Sequence, residues 1–161
     1  MRKFLMAFGS VLGMLLVFGL IGCTISQSTA ATSQAPAMTF TKIGTEGSTV
    51  LITLVSPSID TISTQDLANR LRQDWRNATF PGINPGHVQV QVFDNTDAPT
   101  KMMSNWQAMA TMSDQNFATF WAPIGPHKIA IYDENTTTGL EQVTILDRTA
   151  DCNVVQTITF K

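Results

Sequence analysis

His87 to Asp94 reads HVQVQVFD: Val88, Val90 and Val92 fall on one side of an extended chain, Gln89 and Gln91 on the other. A period of two predicts a strand that buries one side and wets the other. Upstream, Thr49 to Val55 reads TVLITLV, apolar on both sides, as expected of a strand covered on both faces. Between these strands lies the best-marked helix of the chain. Ser63 is placed to cap it, with Asp66 three residues on and Ile62 able to staple against Leu67. Leu67, Leu71 and Trp75 recur every fourth residue, with Arg70, Arg72 and Asp74 off that line. Pro81-Gly82 and Pro85-Gly86 mark the connection to His87.

Downstream, Asp97-Ala-Pro99 is expected to start a second helix, with Asp97 as cap and Pro99 in its first turn. Met102, Trp106 and Met109 form its stripe, and Phe117, Phe120 and Trp121 suggest a further helical or extended segment. Lys128 to Tyr132 reads as a strand, Asp133 to Gly139 as a turn, and Leu140 to Leu146 as the returning strand. Met38 to Ile43 and Val154 to Phe160 supply a candidate strand at each end. The order is β–α–β–α–β–β, so residues 38–161 are expected to form one α/β domain, with α+β as the alternative. Its sheet has four to six strands and a C-terminal hairpin. Helix-length crossovers predict that the strands at 49–55, 87–94 and 128–132 run parallel.

The N-terminus is a separate matter. Arg2 and Lys3 precede an uncharged apolar run from Phe4 to Ile21, which ends in Leu20-Ile21-Gly22-Cys23. A basic start, an apolar run and a small residue at the cut site form the pattern of a secretory signal. The last four residues resemble the lipobox of bacterial lipoproteins. That resemblance implies a signal peptide over residues 1–22, cleavage after Gly22, and acyl chains on the thiol and new amino group of Cys23. Two or three chains, at ~0.8 kcal/mol per buried methylene, give stable anchoring to a membrane. Thr24 to Ala37, TISQSTAATSQAPA, is small, polar and uncharged. With Cys23 it reads as a tether, segment 23–37, reaching ~45–50 Å when extended. Thr24 is not the aspartate that retains some lipoproteins in an inner membrane. The expected location is therefore the bacterial cell envelope: the outer membrane where there is one, otherwise the outer face of the plasma membrane.

The formal net charge is −2, and two of the basic residues, Arg2 and Lys3, lie in the signal segment. Such a balance excludes a nucleic-acid surface and electrostatic docking on anionic lipid. With Cys23 acylated, Cys152 has no partner in its own chain, which excludes a disulfide framework.

Candidate chemistry is sparse. Ligands of open parallel sheets bind beyond the carboxyl ends of the strands. That rule points to Ser56-Pro57-Ser58, to Asp94 and Asp97, and to Asp133 and Glu134, the last four being candidate oxygen ligands for a hard cation if their loops adjoin. His87 and His127 each open a strand expected to be parallel and would meet at the other end of the sheet. Met102, Met103, Met109 and Met112 are soft-metal donors by type, and core residues by their helical spacing. No nucleophile elbow, phosphate loop or dinucleotide fingerprint is present, and no cofactor is expected. The run from Tyr132 to Val143 resembles hairpins of small secreted bacterial domains, which implies no activity. The expectation is a lipid-anchored, non-enzymatic interaction domain that meets an envelope protein. The alternative is a small-ligand or cation-binding lipoprotein that uses the acidic loops.

Overall fold

The computed structural model describes residues 37–78 and 86–161. The expected signal segment, Cys23, the expected tether up to residue 36 and the Pro81-Gly82 and Pro85 connection lie outside the described residues. The alternating and apolar runs all become strands of one mixed sheet: β1 Thr39–Glu46, β2 Thr49–Ser56, β3 His87–Phe93, β4 Lys128–Asn135, β5 Leu140–Leu146 and β6 Val154–Thr159. Their order across the sheet is the order of the chain, β1-β2-β3-β4-β5-β6.

Among the described residues there are four α-helices: α1 Thr64–Trp75, α2 Asp97–Ser104, α3 Trp106–Met109 and α4 Asp114–Trp121. None of the described helices is long and apolar enough to cross a membrane. Helix α1 starts as its sequence dictates. Ser63 Oγ accepts the Asp66 N–H at 3.1 Å, and the Ser63 hydroxyl donates to Asp66 Oδ2 at 2.6 Å. Leu67, Ala68 and Leu71 then pack on the face formed by Val50, Ile52, Val90, Val92, Tyr132 and Val143. Residues of the opposite parity, Leu51 of β2 among them, join Phe93 at the end of β3 in a second core with Ala98, Met102 and Ile124. The two cores lie on opposite faces of the sheet, because side chains alternate along a strand.

One expectation is overturned. Strands β2 and β3 are parallel, joined by α1 as a crossover, but β4 runs antiparallel to β3. The chain between them is not one helix spanning the sheet. It breaks at Asn105, whose amide donates to Lys101 O at 2.9 Å, and again at Thr111-Met112. Short side chains that bond the preceding turn compete with helix continuation. The excursion therefore begins and ends at one end of the sheet, where Asp94 N donates to His127 O at 3.0 Å. Every pair of neighbouring strands other than β2–β3 is antiparallel.

Two smaller corrections follow from the same packing. Gln91 is only 7% exposed, because the second core extends over the end of β3 that was expected to be wet. Helix α2 is capped from Asn95, whose Oδ1 accepts the Ala98 N–H at 3.0 Å, while Asp97 is the first helical residue. Three of the four methionines behave as their spacing predicts: Met102 is buried in the second core, and Met103 and Met109 pack against it, while Met112 lies outside both cores. Met103 lies over β1 at Gly44, where a Cβ would stand 2.8 Å from its sulfur.

Candidate functional site

The antiparallel β3–β4 pair redistributes the candidate residues. Asp133 and Glu134 are strand residues, not loop residues, since β4 continues to Asn135. They sit at the end of the sheet where β3 begins, with Asp133 beside Gln89 and Glu134 beside Val88. Asp94 and Asp97 follow the far end of β3, so the four carboxylates do not converge. Nor do the histidines meet: each lies at its own end of the β3–β4 pair. Among the described residues, no group of three or more His, Cys, Asp and Glu side chains is arranged to hold a metal ion.

Instead, each histidine binds one of the aspartates. His87 Nε2 lies 2.9 Å from Asp133 Oδ1, and His127 Nδ1 lies 2.8 Å from Asp94 Oδ1. An ionised carboxylate only accepts, so the imidazole proton stands on Nε2 of His87 and on Nδ1 of His127. One clasp is made by a β3 histidine and a β4 aspartate; the other reverses the roles.

The Asp94 end is the more elaborate. The side chain of Asp94 is 14% exposed, and its second oxygen receives Arg148 Nη2 at 2.8 Å, while Arg148 Nη1 reaches Asp60 at 2.8 Å. Arg148 projects from the β5–β6 loop with φ +59°, a conformation that residues other than glycine rarely adopt. A web of bonds on Asp147 holds the backbone there. Its carboxylate receives the Asn153 amide at 2.8 Å, the Thr149 hydroxyl at 2.8 Å, and the N–H groups of Thr149 and Asn153, both at 3.1 Å. Those bonds, the Asn153 amide first, hold the Asp147 carboxyl below its ordinary pKa.

Two clefts lie beside the Asp94–His127 pair, the first lined by Asp94 and the second by His127. One, of about 360 Å³, is lined by Leu54, Val55, Pro57, Ser58, Asp94 and Arg148. The other, of about 250 Å³, is lined by Asn95, Asp97, Lys101, Ile124 and His127. An imidazole held through Nδ1 keeps a fixed ring orientation with Nε2 directed away from Asp94. Among the described residues no serine, threonine or cysteine bonds His127, so nothing here assembles a nucleophile–base pair.

At the other end, the face under α1 carries a buried ionic network. Arg72 Nε and Nη2 grip Glu141 at 2.8 and 2.9 Å, and the Tyr132 hydroxyl donates to Glu141 at 3.3 Å. Asn77 N donates to Glu134 at 2.7 Å. The hydrogen bonds that Arg72 donates to Glu141 raise its pKa, and burial drives that of Tyr132 up. This network ties the C-terminal turn of α1 to β4 and β5.

Cys152 is half-buried with φ +50°, and its thiol donates to Gly125 O at 3.5 Å. Burial raises its pKa, so it is not an activated thiolate. Neighbouring Lys128, 9% exposed, has its ammonium 5.7 Å from the Trp121 ring centre. Burial lowers the Lys128 pKa.

Arg148, Arg72 and Glu141 were not legible as site residues in the sequence. A signal existed for the last: Glu141 is in phase with Val143 and Ile145, just as Glu134 is with Ala130 and Tyr132, which places an acid on a buried face. Comparison with protein families, curated proteins and solved structures finds no match for this chain.

Proposed function

We propose that the chain is a bacterial lipoprotein whose folded domain works as a non-enzymatic interaction module of the cell envelope. The observation that carries this reading is the order Arg2-Lys3, apolar run, Leu20-Ile21-Gly22-Cys23 and uncharged tether, directly ahead of a compact α/β domain. Lipid on Cys23 is the membrane contact, because the domain has no basic surplus to bind headgroups. An envelope protein is the partner class, reached across the tether.

The small-ligand alternative keeps a narrower basis. The clefts beside Asp94 and Asp97 support it, and the distance to Asp133 and Glu134 counts against a shared cation. Calorimetry with calcium, zinc and copper should give no specific heat; a stoichiometric heat would move the reading to metal binding.

The anchor is tested by Cys23→Ser. The variant is expected to lose lipid labelling and leave the membrane fraction. Retention with unchanged mass would remove the lipoprotein reading.

A further inference from the structure

Helices α3 and α4 are unlike α1. Helix α1 buries Leu67, Ala68 and Leu71 and keeps Arg70 and Asp74 paired at its surface. Neither α3 nor α4 has a buried residue. Yet these helices and their link carry Trp106, Met109, Met112, Phe117, Phe120 and Trp121. Four of the six, Trp106, Met109, Phe120 and Trp121, pack against the second core and stay half-buried. Met112 and Phe117 do not join it, and the Phe117 ring, 39% exposed, stacks on Trp121 at 5.9 Å. The second core is thus roofed by aromatic and methionine side chains whose outer surfaces stay open.

Charge is nearly absent from this surface. Met102 to Pro126 holds one charged residue in 25, Asp114 at the start of α4. An exposed apolar patch marks a protein or a membrane contact, and the path of the chain selects between them. Thr39 pairs with Ser56, the last residue of β2, and Thr53 with Phe93 at the end of β3. The chain therefore enters the sheet at the end where the helical excursion leaves and returns. Met103 of α2 lies directly over Gly44 of β1. Ahead of β1, the 14 residues 24–37 separate the domain from the expected lipid on Cys23. A coil of that length has ends on the order of 20 Å apart, less than the ~30 Å breadth of a small domain.

We infer that the α3–α4 surface, with Met112 and Phe117 outermost, rests in the interfacial zone of the bilayer that carries the Cys23 anchor. Apolar and aromatic side chains, tryptophan among them, partition into that zone, and a surface with one charge loses little hydration there. Confinement by the anchor makes a weak partition sufficient, because the patch meets the membrane as a second site on a molecule already bound. The contact needs no basic surplus and so suits an acidic chain. Helix α1, on the opposite face of the sheet, then points away from the lipid, toward an envelope partner. The inference rests on the lipid-anchored reading of Cys23.

Site-directed fluorescence on the membrane-extracted full chain, reconstituted in phosphatidylcholine vesicles, tests it. Cys152→Ser leaves no free thiol once Cys23 is acylated, so Met112→Cys or Phe117→Cys takes a nitrobenzoxadiazole label at one place. The label at either position should shift to shorter wavelength on reconstitution and be quenched by nitroxide-bearing lipid, at low and high salt alike. The same label at Asn69→Cys, on the exposed side of α1, should do neither. Phe117→Asp should reduce the quenching of the label at Met112→Cys. Flotation of the vesicles reads the anchor separately. A chain that floats while both labels behave as the Asn69→Cys label does would overturn the membrane contact and leave the anchor standing. Shielding of both positions in native membranes but not in pure lipid vesicles would give the surface to a protein and overturn the contact equally. A chain that does not float, with an unmodified Cys23, would remove the anchor and this contact with it.

Discussion

Asp94 and His127 are joined at 2.8 Å across the end of the β3–β4 pair, and the same aspartate receives Arg148 through its other oxygen. One carboxylate thus fastens three segments: the end of β3, the start of β4 and the β5–β6 loop. The opposite end of the pair is closed by His87 and Asp133, with the residue types exchanged between the strands.

Asp94→Ala should loosen that junction. It removes the acceptor of two donors that are both partly exposed, so the cost is about 1–2 kcal/mol in urea unfolding, discounted for solvent screening. The β5–β6 loop should gain hydrogen exchange before the rest of the sheet does. An unchanged midpoint and unchanged protection at Arg148 would contradict the role given to Asp94.

The Glu141 network predicts a contrast between single and paired substitutions. Glu141→Leu alone strands Arg72 and the Tyr132 hydroxyl and should lower Tm clearly. Arg72→Met with Glu141→Leu should recover part of that loss, because the partly exposed Arg72 no longer lacks its acceptor, while Arg76 and the Tyr132 hydroxyl still lose theirs. Arg70→Ala, at an exposed pair four residues apart on α1, should cost only about 0.3–0.5 kcal/mol. Thermal melts of the four proteins decide it.

Lys128 predicts a pH dependence. Burial holds its folded-state pKa below the ordinary 10.5, so the unfolded chain binds the extra proton between those two values. Stability from this group is therefore fully present above 10.5 and is lost as pH falls through the folded-state pKa. Lys128→Met, with Cys152→Ser in both proteins, should melt higher than its parent at pH 7. The gap should close as pH rises toward 10.5. Tyr132, shifted the other way, contributes equally to both proteins and drops out of the difference. A gap that widens with pH would refute the assignment.

Gly125 sits where the β5–β6 loop meets the helical excursion. A Cβ there would lie 2.7 Å from Ala150 O and 2.8 Å from the Trp121 indole nitrogen, and one of those contacts is backbone. Gly125→Ala should cost about 1–3 kcal/mol by overpacking. It should also break the 2.8 Å bond from Trp121 to Ala150 O, visible as a change in tryptophan fluorescence.

The elements themselves were readable because their periods are strong. HVQVQVFD alternates, TVLITLV is apolar throughout, and Ser63 with Asp66 marks the start of α1. The direction of β4 was not readable, because it depends on how the chain from Asp94 to His127 folds back. That turns on a helix break at Asn105, which the stripe Met102, Trp106, Met109 runs straight across. Once β4 is reversed, the candidate site changes with it: Asp94 and Asp133 separate, and each takes the histidine that the parallel arrangement had placed at the far end. Glu134 and Glu141 show a different limit. Polar residues in phase with valines and isoleucines were visible, but their partners Arg72 and Asn77 come from α1, and only the packing angle of that helix brings them within reach.

The central claim is the anchored state, and mass spectrometry of the mature N-terminus addresses it most directly. The first residue of the membrane-extracted protein should be Cys23, carrying acyl chains, with residues 1–22 absent. A mature chain that still begins at Met1, or one with an unmodified Cys23 thiol, would contradict it.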